Sequence, residues 1–151
     1  MKILMAIDDS KFSEAVAKAV IQEMRPEQAH VCVLHVIEPI YSYVAPYSYV
    51  AQARDIEVAQ QKLLKQGKEL VARAEQVLSK AGFKVETAVE EADPRAAIID
   101  YAAKWKSDLI VLGSHGRKGL DRFLMGSVAE FVTRHASCSV EIVRIPGPKE
   151  S

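Results

Sequence analysis

The chain has 151 residues, with 20 acidic and 20 basic side chains, a net charge of zero at neutral pH and 49% hydrophobic residues. This length suits one domain with a buried core. A neutral chain offers no general field to nucleic acid or to an anionic membrane, and its apolar runs are too short to cross a bilayer. We therefore expect a globular protein whose partners include neither nucleic acid nor membrane.

The first residues and the two cysteines bear on the compartment. The stretch MKILMAIDD has one lysine, no small-residue cleavage site and an acidic end, so it is interpreted as a strand and not as a signal peptide. Cys32 and Cys138 lie inside strand-like runs without a CxxC partner. This is typical of buried thiols in a reducing compartment, and we expect a cytoplasmic protein.

Five short runs of β-forming residues predict strands at residues 3–8, 30–37, 84–89, 108–112 and 140–145. Four of them are almost continuously apolar, as expected of parallel strands covered on both faces. The third run, KVETAV, alternates between polar and apolar residues. Alternation indicates a strand at an edge of the sheet.

Four apolar stripes with a helical period lie between the predicted strands. Gly82 occupies the C-terminal cap of the second helix, and the small residues Gly67, Ala74 and Ala81 would let that helix approach the sheet. Asp93 is predicted to cap the third helix, ahead of a proline. The stripes are Phe12, Val16, Ala19, Val20 and Met24; Leu63, Leu64, Gly67, Leu70, Val71, Ala74, Val77, Leu78 and Ala81; Ile98, Ile99, Ala102 and Trp105; and Leu124, Val128, Phe131, Val132 and His135.

The alternation of strands and helices predicts an α/β fold: one open, parallel, doubly wound five-stranded sheet. The domain is expected to span residues 1–146, followed by a short tail at 147–151. Residues 38–52 (EPIYSYVAPYSYVAQ) carry four of the five tyrosines. We interpret this segment as a long surface loop packed by its own aromatic side chains, with a lid or a partner contact as the alternatives.

Ligands of open α/β sheets bind beyond the carboxyl ends of the strands, where the strand order reverses. Four segments should meet there: residues 6–10, 36–38 and 90–93, and the loop VLGSHGRKGLDRFLMGS at 111–127. The loop leads into the fourth helix, whose N-terminal N–H groups and dipole attract phosphate. Glycines let such a backbone approach an anion closely.

The loop has the spacing Gly113-x2-Gly116-x9-Gly126-Ser127, which resembles the ATP-binding motif of the universal stress protein family. The resemblance extends from Ile3 to Arg144 and includes HVIEP after the second strand and SCSVEIVR near the end. It implies a Rossmann-like fold similar to adenine nucleotide hydrolases, with strand order 3-2-1-4-5. It also implies a homodimer that binds one adenine nucleotide per subunit.

The resemblance also assigns roles within the site. Ala6 and Val36 would line the base pocket, and Asp8 would bond the adenine or ribose. The glycine loop would wrap the ribose and phosphates, and the start of the fourth helix would bind the β- and γ-phosphates, with the Ser127 hydroxyl beside Mg²⁺. ATP is the expected ligand, with ADP or AMP as alternatives; Mg²⁺ arrives with it, and the protein has no metal site of its own. The expected binding residues are Ala6, Ile7, Asp8, Ser10, Val36, Leu112, Gly113, Ser114, His115, Gly116, Arg117, Gly126, Ser127 and Val128.

Efficient catalysis is not expected. The chain has no GxxxxGK[ST] loop and no evident Ser-His-Asp arrangement, and its adjacent residues Asp8 and Asp9 need not converge on one reacting atom. We therefore expect a nucleotide-dependent stress-response or regulatory module with slow ATP hydrolysis at most. Two alternatives stay open: an ATP-dependent enzyme of similar fold, or a family member that binds no nucleotide and acts through protein contacts.

The last predicted strand suggests the dimer contact. It lies at a sheet edge in the implied strand order and stays apolar up to Pro146, so we expect two copies to pair there through Val140, Ile142 and Arg144. If the two-fold centre lies between residues 142 and 143, Glu141 of one subunit faces Arg144 of the other.

Overall fold

The structure, a computed structural model, describes residues 1–40, 50–115 and 125–144. Within these ranges strands and helices alternate as predicted, and a short 3₁₀ helix (Pro26–Gln28) precedes the second strand. The elements are β1 (Lys2–Ile7), α1 (Phe12–Glu23), β2 (His30–Ile37), α2 (Val50–Lys80), β3 (Lys84–Glu91), α3 (Pro94–Trp105), β4 (Leu109–Gly113), α4 (Ser127–His135) and β5 (Ser139–Val143).

Helix α2 is longer than predicted. It begins at Val50, inside the tyrosine-rich segment interpreted as a loop, so that interpretation is wrong for residues 50–52. Residues 51–62 are rich in alanine, glutamine and charged side chains with high helix propensity, but their apolar stripe is sparse, and the stripe alone marked a later start. Most of the predicted loop, residues 41–49, lies outside the described residues.

The five strands form one parallel sheet in the order β3-β2-β1-β4-β5, which confirms the predicted fold class and strand order. β1 lies at the centre between β2 and β4, so the chain reverses its winding direction there. β3 is an edge strand, as its alternating pattern predicted.

The sheet separates two apolar cores. Alternate residues of β1 face the two sides: Ile3, Met5 and Ile7 pack with α1 and α2, whereas Leu4 and Ala6 pack with α3 and α4. Both faces of the sheet are thus covered, as a doubly wound fold requires. Within the described residues no helix is both long and apolar enough to cross a membrane.

Helix α2 lies close to the sheet at Gly67. A Cβ atom added there would lie 2.9 Å from His35 Cδ2 and 3.2 Å from Ile37 Cδ1, so only glycine fits without displacing a neighbour. The His35 ring is held in place because its Nδ1 lies 2.9 Å from the carbonyl oxygen of Ile7. At the end of α2, Gly82 has φ +94°, the left-handed conformation expected of a C-terminal cap.

The thiols of both cysteines have raised pKa values because burial disfavours the thiolate. Cys32 is fully buried and donates to the Tyr101 hydroxyl at 3.5 Å, and Cys138 is partly buried. Neither is in a disulfide. Cys32 therefore packs as a small core residue, as predicted.

Strand β5 is the second edge of the sheet, and its two faces differ. Val143 packs with the α1 and α2 core, whereas Val140 and Ile142 pack with the α3 and α4 core. Alternation places Glu141 on the side of Val143 and Arg144 on the side of Ile142. Residues directly opposite in an antiparallel pair share a face, so the predicted pairing of Glu141 with Arg144 is wrong. A two-fold pairing of β5 has to be centred on a residue.

Candidate functional site

A cleft of about 360 Å³ opens at the carboxyl edge of the sheet, between the end of β2 and the starts of α3 and α4. Its volume lies within the range of about 300–1,000 Å³ that is common for small-molecule sites. Three of the four segments predicted to meet are present in its walls. The lining residues are Glu38, Pro39, Asp93, Pro94, Arg95, Ser127 and Val128.

Backbone hydrogen bonds tie these segments together. The N–H of Ala92 donates to the carbonyl of Ile37 at 3.0 Å and so joins the end of β3 to the end of β2. The N–H of Ser114 donates to Val143 at 2.9 Å, and its carbonyl accepts from the N–H of Gly126 at 2.7 Å. Ser114, which is 4% exposed, therefore links β4, β5 and the start of α4.

The predicted base-pocket residues share one side of the sheet. Ala6 and Val36 both pack with the apolar cluster beneath α3 and α4, as do the predicted binding residues Leu112 and Val128. Ile7 does not join them: its side chain is 8% exposed and packs in the opposite core, and its carbonyl is hydrogen-bonded to His35. Alternation along β1 thus turns the Ile7 side chain away from that side of the sheet, and the role of Ile7 as a binding residue stays a prediction.

Asp8 and Ser10 form the turn that starts α1. One carboxylate oxygen of Asp8, Oδ1, accepts hydrogen bonds from the N–H of Ser10 at 2.9 Å and from the Ser10 hydroxyl. The N–H of Phe12 in turn donates to the Ser10 hydroxyl oxygen at 3.3 Å. The geometry assigns Ser10 to this turn, and a ligand bond from Asp8 would use its second carboxylate oxygen.

Gly113 packs closely against other residues of the chain, at the start of α1 and in the loop that follows β4. A Cβ atom at this position would lie 3.0 Å from Phe12 Cβ and 3.4 Å from the His115 carbonyl oxygen. Its φ angle is not positive, so the requirement for glycine comes from packing. The His115 ring lies 5.8 Å from the Phe12 ring, between centroids, and its Nδ1 is 3.0 Å from Ser114 Oγ.

The second ring nitrogen of His115, Nε2, is shielded from solvent and has no hydrogen-bond partner among the described residues. Buried polar atoms normally have one. Residues 116–124 follow directly but lie outside the described ranges. The predicted contacts of Gly116 and Arg117 fall on those residues.

The start of α4 offers hydrogen-bond donors to the cleft. Ser127 and Val128 are its first two residues, and N–H groups in a first turn have no partner within the helix. The N–H of Gly126 is different, because it already donates to Ser114. Of the three N–H groups predicted to bind phosphate, those of Ser127 and Val128 remain as donors.

The start of α3 contributes an ion pair that the sequence analysis did not single out as part of the site. Asp93 caps the helix as predicted, accepting from the N–H of Arg95 at 2.9 Å. The Arg95 guanidinium also bonds both carboxylate oxygens of Asp93, with Nε–Oδ1 at 3.3 Å and Nη2–Oδ2 at 3.1 Å. These hydrogen bonds hold the pKa of Asp93 below its usual value. The signal available in the sequence was a basic residue in the first turn, where the dipole favours acidic ones.

The charges at the cleft do not form a metal centre by themselves. Within the part of the chain that the structure describes, no group of three or more His, Cys, Asp or Glu side chains could hold a metal ion. Among the described residues, the charged and hydroxyl groups that line the cleft are the carboxylates of Glu38 and Asp93, the Arg95 guanidinium and the Ser127 hydroxyl.

The order of the strands and the cleft beyond their carboxyl ends define a doubly wound α/β protein with a crevice at the edge where such folds bind ligands. The model of the universal stress protein family matches residues 1–144, and the chain belongs to that family. It is 32% identical over 145 residues to the universal stress protein MJ0531 of Methanocaldococcus jannaschii, an alignment covering 96% of this chain and 82% of that protein.

Two solved structures illustrate the structural likeness. The hypothetical protein MJ0577 superimposes with a TM-score of 0.85 at 26% identity, with 97% of each chain covered. A universal stress protein family member from Arabidopsis thaliana, At3g01520, solved with AMP bound, has a TM-score of 0.71 at 19% identity and covers 99% of this chain and 97% of its own.

Proposed function

We propose that this chain binds one adenine nucleotide per subunit in the cleft and acts as a nucleotide-dependent stress-response or regulatory module. ATP is the proposed ligand, with ADP or AMP as alternatives. The observation that carries the proposal is the position of the cleft at the carboxyl edge of the sheet, where the first turn of α4 forms part of its wall. A family member with AMP bound supports the ligand class.

The residues at this edge of the sheet suit the two ends of a nucleotide. Ala6 and Val36, near the ends of β1 and β2, are apolar and only partly buried, so a base would pack against them. The N–H groups of Ser127 and Val128 would bind phosphate oxygens, helped by the helix dipole. The buried Nε2 of His115 needs a hydrogen-bond partner, which a ribose or phosphate oxygen could supply.

Magnesium fits this cleft as a companion of the nucleotide. Mg²⁺ is usually held by one or two carboxylates together with phosphate oxygens and water, and not by an all-protein cage. Ser127 Oγ, Glu38 and Asp93 are the oxygen donors that line the cleft. When bound there, Mg²⁺ would neutralise phosphate charge that would otherwise face the two carboxylates.

Slow turnover is proposed because the chain has no GxxxxGK[ST] loop and no evident Ser-His-Asp arrangement. Asp8 Oδ1 is in addition engaged in the turn before α1. Phosphate release should therefore stay well below the roughly 1–10³ s⁻¹ of ordinary enzymes. A rate of several per second in protein free of contaminating ATPase would favour the enzyme alternative.

The binding proposal is tested by a proline at the first position of α4. Gly126 has φ −60° and ψ 155°, angles that a residue before proline adopts readily, and proline is well tolerated at the first helical position. Ser127→Pro thus removes one N–H donor and the hydroxyl while the helix remains. Because a hydrogen bond to a charged group is lost, we expect ATP affinity to fall by about tenfold or more.

Isothermal titration calorimetry with Mg-ATP, AMP and adenosine measures this effect. The control Ser127→Ala removes the hydroxyl alone, so it should affect Mg-ATP more than AMP. Wild-type protein, freed of co-purified nucleotide, that ignores ATP, ADP and AMP up to millimolar concentrations would contradict the proposal. That outcome would favour the alternative of a module that acts through protein contacts alone.

We further propose that the protein is a homodimer through β5 and that it acts in the cytoplasm, as its unpaired cysteines suggest. The carbonyl of Val143 points toward β4, where it accepts from Ser114, so the N–H of Ile142 points to the open edge. A two-fold axis centred on Ile142 would place Val140 opposite Arg144.

Ile142→Pro should therefore block pairing between copies without removing a bond of the β4–β5 ladder. The control Val143→Pro should instead destabilise the monomer, because it removes an N–H that faces β4. In sedimentation, wild type should show twice the mass of Ile142→Pro. A wild-type protein that is monomeric at tens of micromolar would end the dimer proposal while leaving the nucleotide site intact.

A further inference from the structure

Among the described residues that line the cleft, Arg95 is the only one with a cationic side chain. Its guanidinium is not loosely placed. Two of its N–H groups bond the carboxylate of Asp93, and its Cζ lies 5.8 Å from the centre of the Phe131 ring, within cation–π range. The charge is thus held by α3 on one side and by α4 on the other.

The contact with Phe131 locates the guanidinium relative to the phosphate donors. Ser127 and Phe131 are four residues apart on α4, so they share one face of the helix about 6 Å apart along its axis. The Phe131 ring stacks on His135 at 4.1 Å between centroids, and the Arg95 guanidinium lies against the same ring. Arg95 also lines the same cleft as Ser127 and Val128, the first two residues of α4.

The ion pair with Asp93 leaves Arg95 able to take a second anion. An arginine has five N–H donors in one plane, and Asp93 receives two of them. The planar fork suits phosphate oxygens as well as carboxylate oxygens. Asp93 would keep its bond to the backbone N–H of Arg95 and remain the helix cap if the guanidinium turned toward a phosphate.

We propose that Arg95 is a specificity residue that contacts the phosphate groups of the bound nucleotide and distinguishes phosphorylated ligands from the bare nucleoside. In the free protein Asp93 neutralises the guanidinium; in the complex a phosphate competes with Asp93 for it. This inference rests on the proposed nucleotide site and assigns recognition of the ligand's phosphate charge to Arg95.

The test compares ATP, AMP and adenosine by calorimetry with wild type, Arg95→Gln and a matched control, Arg134→Gln. Arg134 is also an exposed arginine in an ion pair, with Nη2 2.9 Å from Glu130 Oε1, but it lies in the last turn of α4. We expect Arg95→Gln to weaken ATP and AMP by about tenfold or more and adenosine by less than about twofold. Arg134→Gln should change none of the three by more than about twofold.

Asp93→Asn provides a second, opposite change. Asparagine keeps the helix cap but removes the charge that competes for Arg95, so AMP, measured without Mg²⁺, should bind several-fold more tightly while adenosine is unchanged. Equal weakening of ATP and adenosine in Arg95→Gln would show a structural role and overturn the inference, as would no change in either. Both outcomes are distinct from a wild-type protein that binds none of these ligands, which would overturn the nucleotide site itself.

Discussion

Gly113 is the first glycine of the phosphate-loop spacing, and replacing it by alanine separates two explanations for it. An added Cβ would lie 3.0 Å from Phe12 Cβ, which is attached directly to the backbone of α1, so no side-chain rotation relieves the contact. The start of α1 has to shift. Overpacking of this kind costs about 1–3 kcal/mol, and the lower entropy of the unfolded chain with alanine offsets about 0.4–1 kcal/mol of it.

We therefore expect Gly113→Ala to lower the free energy of unfolding of the nucleotide-free protein by about 0.5–2.5 kcal/mol. For a chain of 151 residues this corresponds to a melting temperature about 1–10 °C lower, measured by circular dichroism on protein stripped of nucleotide. Gly126→Ala is the comparison variant. Gly126 has φ −60°, which any residue adopts, so this change should only replace glycine by alanine as the N-cap of α4 and lower the free energy of unfolding by about 0.5–1 kcal/mol. Unchanged stability of Gly113→Ala together with lost ATP binding would refute the packing explanation and favour close approach of the ligand.

Three further predictions concern stability. Gly67→Ala should destabilise the protein by about 1 kcal/mol net, because overpacking against His35 and Ile37 exceeds the gain in helix propensity. Urea denaturation measures this loss of stability, which should be smaller when His35 is also replaced by alanine. Glu141→Gln should stabilise the protein by a few tenths of a kcal/mol at neutral pH, because burial and the neighbouring Glu23 raise the pKa of Glu141. The protonated carboxyl of Glu141 contributes its stability fully below the unfolded pKa, and this stability is lost as pH rises through the folded pKa. The free energies of unfolding of wild type and Glu141→Gln should therefore become equal in acid. Asp93→Ala should lower the free energy of unfolding by about 1 kcal/mol through loss of the helix cap. Because the pKa of Asp93 is lowered in the folded protein, the difference in stability between the two proteins should disappear as pH falls through that folded pKa. An unchanged melting curve at pH 7 would contradict this prediction.

The strands were predictable because burial on both faces of a parallel sheet leaves an unbroken apolar run in the sequence. β2 has the predicted bounds, and the bounds of β1 and β4 differ from the prediction by one residue at each end. α2 was harder. Its first three turns carry few apolar residues, so periodicity placed the start thirteen residues late, although helix propensity favoured the longer helix.

The site was only partly predictable. The glycine spacing and the resemblance it carries located the start of α4 and the sheet edge, because both depend on residues close together in the chain. They could not show that Ile7 faces away or that the N–H of Gly126 is already engaged by Ser114. Each of these depends on how one strand end is placed against another.

The sequence by itself determined the order of elements, the parallel doubly wound sheet and the edge at which a ligand would bind, since periodicity, helix caps and crossover handedness are local or topological constraints. Only the tertiary structure decided that Gly113 is small because of Phe12, 101 residues earlier in the chain, and that Arg95 reaches α4 through Phe131. The physical reason is that a pattern of apolar and small residues records that a position is buried or tight. The pattern does not record which distant side chain contacts the position, because the contact depends on how the helices pack against the sheet.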